Sequence, residues 1–246
     1  MHITLGLCSV TFRQRNVYEV LAAAVRAGLD GVEWGGDVHC PDAPAAAHVR
    51  TATASVGLRT LSLGSYFGAE SEDFLPVLET AVALGAPRIR VWAGSRGSES
   101  TEPAARARLS RRLRKAADEA ADAGVAVALE YHGNTLTDTL DSTLALLEEV
   151  GRENVGVYWQ PNVDQPDDDA LQHLRALLPW LRGVHCFSWW PFDTRLPLAE
   201  RERLWRGAMD VLQEAGRPVD VMFEFVPDDR PEALERDAAW LRSVLG

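Results

Sequence analysis

The chain has 246 residues, 46% of them hydrophobic and 25% charged, which excludes a disordered, fibrous or collagen-like chain and leaves room for one large α/β domain. Acidic residues outnumber basic ones by 36 to 25, and a net charge of −11 argues against nucleic acid or anionic membrane as a partner. Three cysteines without CxxC spacing, no leader-like start and no apolar run of about 20 residues predict a protein of the reducing cytoplasm.

Short Val/Ile/Leu-rich runs alternate with amphipathic segments from one end to the other. ITLGLC (3–8) reads as a strand and is followed by a helix from about Asn16 to Ala27 that stops at Gly28. GVEW (31–34) precedes a helix over 43–56, and LRTLSLG (58–64) one over 71–84. PRIRVWA (87–93) precedes the arginine-rich helix 102–123, whose apolar residues recur at helical spacing, so its charges form a solvated face. VAVALEY (125–131) leads to a helix at 137–150 and NVGVYWQ (154–160) to one at 167–178. RGVHCFS (182–188) and VDVMFEF (219–225) precede the last two helices, 197–215 and 231–244. Eight consecutive strand–helix units without a linker predict a single (β/α)8 barrel over residues 1–246, an open doubly wound sheet being the alternative. Chemistry is then expected where the loops after the strands converge.

Glu130 ends the run VAVAL and Glu224 interrupts VMFEF, so each puts a carboxylate where a buried strand would continue with Val or Ile. Such a group needs a cation or several donors to stay ionised. The plain alternative is pairing with a strand-end arginine such as Arg90 or Arg182. His185 holds the matching position on the seventh strand and Gln160 that on the sixth. Glu130, Gln160, His185 and Glu224 together offer two negative charges and a hard O/N donor set, which suits one divalent cation, Mn2+ first, with Mg2+, Co2+ or Zn2+ also matching. Cys186 alternates to the opposite face from His185.

His132 lies two residues beyond Glu130 on the same face and is expected to bind a hydroxyl or assist a leaving group. Glu33 at the end of the second strand is a candidate substrate contact or, equally, a structural carboxylate, and His39 in the GGDVHCP loop is a candidate substrate contact. Among the eight tryptophans, Trp92 and Trp189 fall at strand ends, and with Tyr66 they are expected to pack against a sugar-like ligand and exclude water. AGSRGSES (93–100), with Arg96, is read as a solvated loop, and no Walker or Rossmann glycine pattern is present, so an unphosphorylated ligand is favoured.

This strand-by-strand pattern, carried by GVEWGGDVH, LEYHGNT, GVHCF and FEFVPDD, resembles the xylose isomerase-like TIM barrels, the group of sugar phosphate isomerases and epimerases that also includes AP endonucleases. The resemblance implies a metal-dependent isomerase or epimerase of carbohydrate metabolism in which Glu130 and Glu224 move a proton beside a carbonyl through an enediolate. It also implies a homodimer or homotetramer. The chain departs from the pattern on the sixth strand, where Gln160 and Val163 stand in place of an Asp and a His that many members carry. Two other readings share the scaffold: a dehydratase or lyase with His132 as the acid, and a metal-free ligand-binding barrel. The nuclease reading needs several metals, which six histidines and Ser65, Tyr66 and Trp92 on strands three and four do not supply.

Overall fold

The computed structural model describes residues 3–70 and 73–246. Its strands run in chain order as β1 (Ile3–Cys8), β2 (Gly31–Gly35), β3 (Arg59–Gly64), β4 (Arg88–Val91), β5 (Ala126–Glu130), β6 (Val155–Trp159) and β7 (Leu181–Cys186). A two-stranded antiparallel hairpin follows, β8 (Ser188–Trp189) with β9 (Arg195–Leu196), and then β10 (Val219–Phe223). All but the hairpin strands pair in parallel into a closed barrel, β10 completing it against β1 through Ile3–Val219 to Leu7–Phe223. The helices are α1 (Val17–Arg26), α2 (Ala43–Ser55), α3 (Leu75–Leu84), α4 (Pro103–Asp122), α5 (Leu140–Val150), α6 (Asp167–Leu177), α7 (Glu202–Ala215) and α8 (Pro231–Leu245). This is a (β/α)8 barrel, and among the described residues no helix is long and apolar enough to cross a membrane.

Side chains alternate along each strand between two cores. Val127, Leu129, Val157, Trp159, Val184 and Cys186 belong to the large core between sheet and helices, while Cys8, Leu61, Ala128, Tyr158 and Met222 form the smaller one inside the barrel. Close approach across the interior needs glycine in places: a Cβ on Gly156 would sit 2.3 Å from the Trp180 carbonyl, and one on Gly31 2.5 Å from that of Arg59. At the N-terminal end of the barrel, Arg88 pairs with Asp220 and its Nε donates to the Tyr158 hydroxyl at 2.5 Å. Arg59 Nη2 donates to Thr4 Oγ1 at 2.9 Å at the same end.

Several boundaries differ from the sequence expectation, among them the seventh helix, which begins at Glu202 rather than 197 after a 3-10 turn over Leu198–Arg201. The third helix begins at Leu75; positions 71 and 72, expected to open it, lie outside the described residues. The fifth begins at Leu140 rather than 137, because Thr137 Oγ1 donates to the Glu130 carbonyl at 2.5 Å and Thr135 Oγ1 to that of His132 at 2.7 Å, tying the chain into a turn first. The seventh strand ends at Cys186, and residues 188–196 form the hairpin that leans over the barrel mouth.

Candidate active site

Because the period is two, the residues one step above the interior apolar layer all point inward at the C-terminal end: Cys8 on β1, Glu33 on β2, Arg90 on β4, Glu130 on β5, Gln160 after β6, His185 on β7 and Glu224 after β10. All are buried. The four expected ligands do converge. His185 Nδ1 faces Gln160 Oε1 at 2.9 Å, Glu224 Oε2 at 3.5 Å and Glu130 Oε1 at 3.6 Å. On the other side of the ring, Nε2 meets Glu33 Oε1 at 3.2 Å.

Glu33 therefore does not take the substrate-side place expected of it. A register shift between Val32 and Glu33 brings Ser62 opposite, and the Ser62 hydroxyl donates to Glu33 Oε2 at 2.5 Å. The carboxylate is enclosed beneath the imidazole and absent from the cavity wall. A carboxylate accepting from Nε2–H would fix the tautomer with a cation bound and leave the Nδ1 lone pair to it; without one, Nδ1 faces three oxygen acceptors and carries a proton as well.

Arg90 is the residue that the search for ligands passed over. Its Nη1 lies 3.0 Å from Glu130 Oε2 and donates to the Ser65 carbonyl at 2.8 Å, and its Nε is 3.8 Å from Glu33 Oε1. The arginine pairing named as the plain alternative for Glu130 thus exists beside the ligand cluster rather than instead of it. Arg182, the other candidate, donates to the Glu153 carbonyl at 2.7 Å and is remote from this site. The signal for Arg90 was RIRV, two cations at strand spacing within an apolar run.

These neighbours separate the three acids. Burial pushes the Glu33 carboxyl up, but His185, Arg90 and Ser62 outweigh it and hold it at about 2. Burial acts likewise on Glu130, and Arg90 and His185 hold it at about 2. Burial dominates at Glu224; His185 and Arg90 offset it only in part against repulsion from Glu130 and Glu33, leaving it at about 7. His185 is raised well above its ordinary value, burial being overcome by Cys8, Glu224 and Glu33.

A divalent cation fits the cluster on three observations. Glu130, His185 and Glu224 each offer an atom within 4.8 Å of the others. Glu130 Oε2 is buried and, apart from the Arg90 charge beside it, makes no hydrogen bond. With Arg90 cancelling Glu33, the uncompensated charge is that of Glu130 and Glu224, which a doubly charged ion balances. Cys8, Glu33 and His185 make a second such group deeper in the barrel. Burial raises the Cys8 thiol far above the thiolate range, so that group is a poor cation site.

Above the cluster opens a cavity of about 420 Å³ whose wall includes Glu130, Gln160, Glu224, His132 and Trp189. His132 stacks on Trp92 at 4.6 Å, and its Nδ1 bonds the Gly133 carbonyl at 2.7 Å, which leaves the Nε2 lone pair. Trp92 and Tyr66 stand beside this cavity and not in its wall; Tyr66 lies 5.7 Å from Trp92, with the Arg90 guanidinium over its ring at 5.4 Å. His39 is not at the cavity either. It is buried against Trp34, and both nitrogens are engaged, with Ser9 Oγ at 2.9 Å and the Arg15 carbonyl at 3.0 Å, so it ties the β2–α2 loop to the β1–α1 loop. The wall also contains Asn134, Asn162, Phe187, Phe192 and Phe225, none of which was a candidate ligand or substrate contact in the sequence.

A profile of the xylose isomerase-like TIM barrel family matches residues 21–244. The chain belongs to that family. Among its family relatives, a 3-dehydroshikimate dehydratase of Bacillus anthracis is 28% identical over 200 residues, covering 73% of this chain and 70% of the relative. The fold superposes on 3-keto-D-glucoside 4-epimerase from E. coli with a TM-score of 0.75 at 20% identity, over 98% of this chain and 100% of that one. It also superposes on a xylose isomerase-like barrel from Mycobacterium smegmatis in complex with magnesium, with a TM-score of 0.73 at 16% identity over 100% and 98% of the chains. The family assignment makes this chain an enzyme of the xylose isomerase-like type.

Proposed function

We propose that this enzyme binds one divalent cation, Mn2+ first, through Glu130, Gln160, His185 and Glu224, and moves a proton beside the carbonyl of a small polyhydroxylated substrate to give an isomer or epimer. The observation that carries the reading is the opposed environment of the His185 ring, whose Nε2 is tied to Glu33 while Nδ1 looks into the three other ligands at the cavity floor. The bound ion supplies Lewis-acid stabilisation of the negative charge that develops on the carbonyl oxygen. Arg90 keeps Glu130 ionised, so it can accept a proton. Glu224, the second carboxylate at the cavity floor, is the group placed to return one. The aromatic wall limits water at the site.

A second reading, elimination of a β-substituent, has specific support in His132, which presents Nε2 at the cavity wall one strand period above Glu130, and in the dehydratase name of the 28% identical relative. Both reactions begin with the same deprotonation. Incubation of the Mn2+-loaded protein with a panel of hydroxy-ketones in D2O, followed by NMR, tests the reading. Deuterium should enter beside the carbonyl of recovered substrate and isomer, and Glu130→Gln should abolish it. An unsaturated product instead of an isomer would decide for elimination. No exchange with any member of the panel by protein that holds its metal would refute proton transfer.

A further inference from the structure

The cavity is built in two unlike halves. Its floor and its β5 side are polar, with Glu130, Gln160, Glu224, His132 and Asn134. The side beneath the β8–β9 hairpin is apolar, formed by Val163, Phe187, Trp189, Phe192 and Phe225. Trp189 packs at a tilt against Phe187 (5.4 Å, 54°) and Phe225 (5.3 Å, 47°), so the wall presents ring faces and edges together, the arrangement into which another aromatic ring packs. Phe192 and Val163 are 63% and 52% exposed at the rim of this half, an apolar surface open to water and continuous with a cavity.

The backbone supports the same half at a cost. Phe192 (φ 51) and Phe225 (φ 50) are both held in the left-handed region, which bulky side chains avoid, and the Phe192 N–H is anchored by Asp164 Oδ1 at 2.6 Å. Strain at two aromatic residues lining one cavity is expected where ring position matters to a ligand.

Charge restricts the ligand further. Among the described residues the wall contains no Lys or Arg. The nearby guanidiniums are committed, Arg90 to Glu130, and Arg195 to Asp229 at 2.5 Å while it covers the rings of Trp189 and Phe225. A carboxylate or phosphate placed in the aromatic half would lose its water and gain no cation of the wall there.

We infer that the substrate is a polyhydroxylated ring bearing an uncharged aromatic substituent, the ring over the acidic floor and the substituent between Phe192 and the Trp189–Phe225 pair. This rests on the proposed reaction only for which end lies over the carboxylates. Titration calorimetry on the Mn2+-loaded protein tests it, using glucose, galactose and xylose, their phenyl glycosides, glucose 6-phosphate and 3-dehydroshikimate as probes. At least one phenyl glycoside should bind about tenfold or more tightly than its parent sugar, and more tightly than either anion. In Phe192→Ala, an exposed position where truncation leaves the barrel core intact, the ratio of phenyl glycoside to parent affinity should fall severalfold. An anion binding most tightly, no phenyl glycoside preferred over its parent, or a ratio unmoved by Phe192→Ala would overturn the inference. Metal content of the same samples keeps the two readings apart: a protein that holds Mn2+ but shows no aromatic preference contradicts only this inference, and one with the preference but no metal contradicts only the proposed reaction.

Discussion

Replacing Glu33 with Gln removes the charge that His185 Nε2 meets at 3.2 Å while keeping the side-chain volume. The imidazole becomes a weaker donor of electrons to anything on its Nδ1 side, and Arg90 loses one of the two carboxylates it bridges. Outer partners of metal-bound histidines are typically worth about 10- to 100-fold in affinity, so Glu33→Gln should weaken Mn2+ binding by that order in a chelator competition assay. An unchanged constant would mean that Glu33 serves the barrel alone. At this scale the sequence told which side chains face inward but not which lies deepest. Glu130 and Glu224 stood out because a carboxylate interrupts an apolar strand. For Glu33 in the second strand the sequence leaves a substrate-side and a structural role open, since alternation gives a direction and not a depth. His39 sits in a loop, where no period gives even the direction.

At the scale of elements, α1 is capped at both of its reciprocal positions. Asn16 Oδ1 accepts from the N–H groups of Tyr18 (3.0 Å) and Glu19 (3.1 Å), and Glu19 Oε2 accepts from the Asn16 N–H at 2.9 Å. Asn16→Ala should cost about 1 kcal/mol in urea unfolding, within the usual range for a lost cap, and should leave Mn2+ affinity alone because the helix start lies outside the site. A changed metal constant would show that α1 positions the ligands. The helix was legible from Asn16 onward for this reason, and the helix ends were legible because Gly28, Gly57, Gly85, Gly124, Gly151 and Gly216 all sit at positive φ (65, 76, 70, 70, 57 and 67). The β8–β9 hairpin was not legible. Its strands are two residues long, too short to show alternation, and the aromatic residues it brings to the cavity read as a continuation of the seventh strand.

For the whole molecule, the consequence is a folded state whose protons compete with its cation. Glu33 and Glu130, held at about 2 against an ordinary 4.5, stabilise the metal-free fold above pH 4.5, and that contribution fades as pH falls toward 2. Glu224, raised to about 7, has the opposite sign: its contribution is full below 4.5 and is lost as pH rises through 7. His185, raised above 6.5, likewise stabilises while protonated and loses that contribution as pH rises through its elevated value. A cation needs the Glu224 carboxylate and the Nδ1 lone pair of His185, so its binding releases protons and its affinity rises by up to about tenfold per pH unit for each proton displaced. Binding to the folded state alone stabilises by RT ln(1 + [L]/Kd), or about 1.4 kcal/mol for each tenfold gain once the site saturates. A chain of this length shifts in Tm by roughly 2–4 °C per kcal/mol. The Tm increase produced by Mn2+ over a chelator control should therefore be larger at pH 8 than at pH 6 by about 5 °C or more, even though the metal-free protein loses the stabilisation carried by Glu224 over the same interval. Equal shifts at the two pH values would mean that the ion displaces no proton, and hence that it binds somewhere other than among Glu130, Gln160, His185 and Glu224.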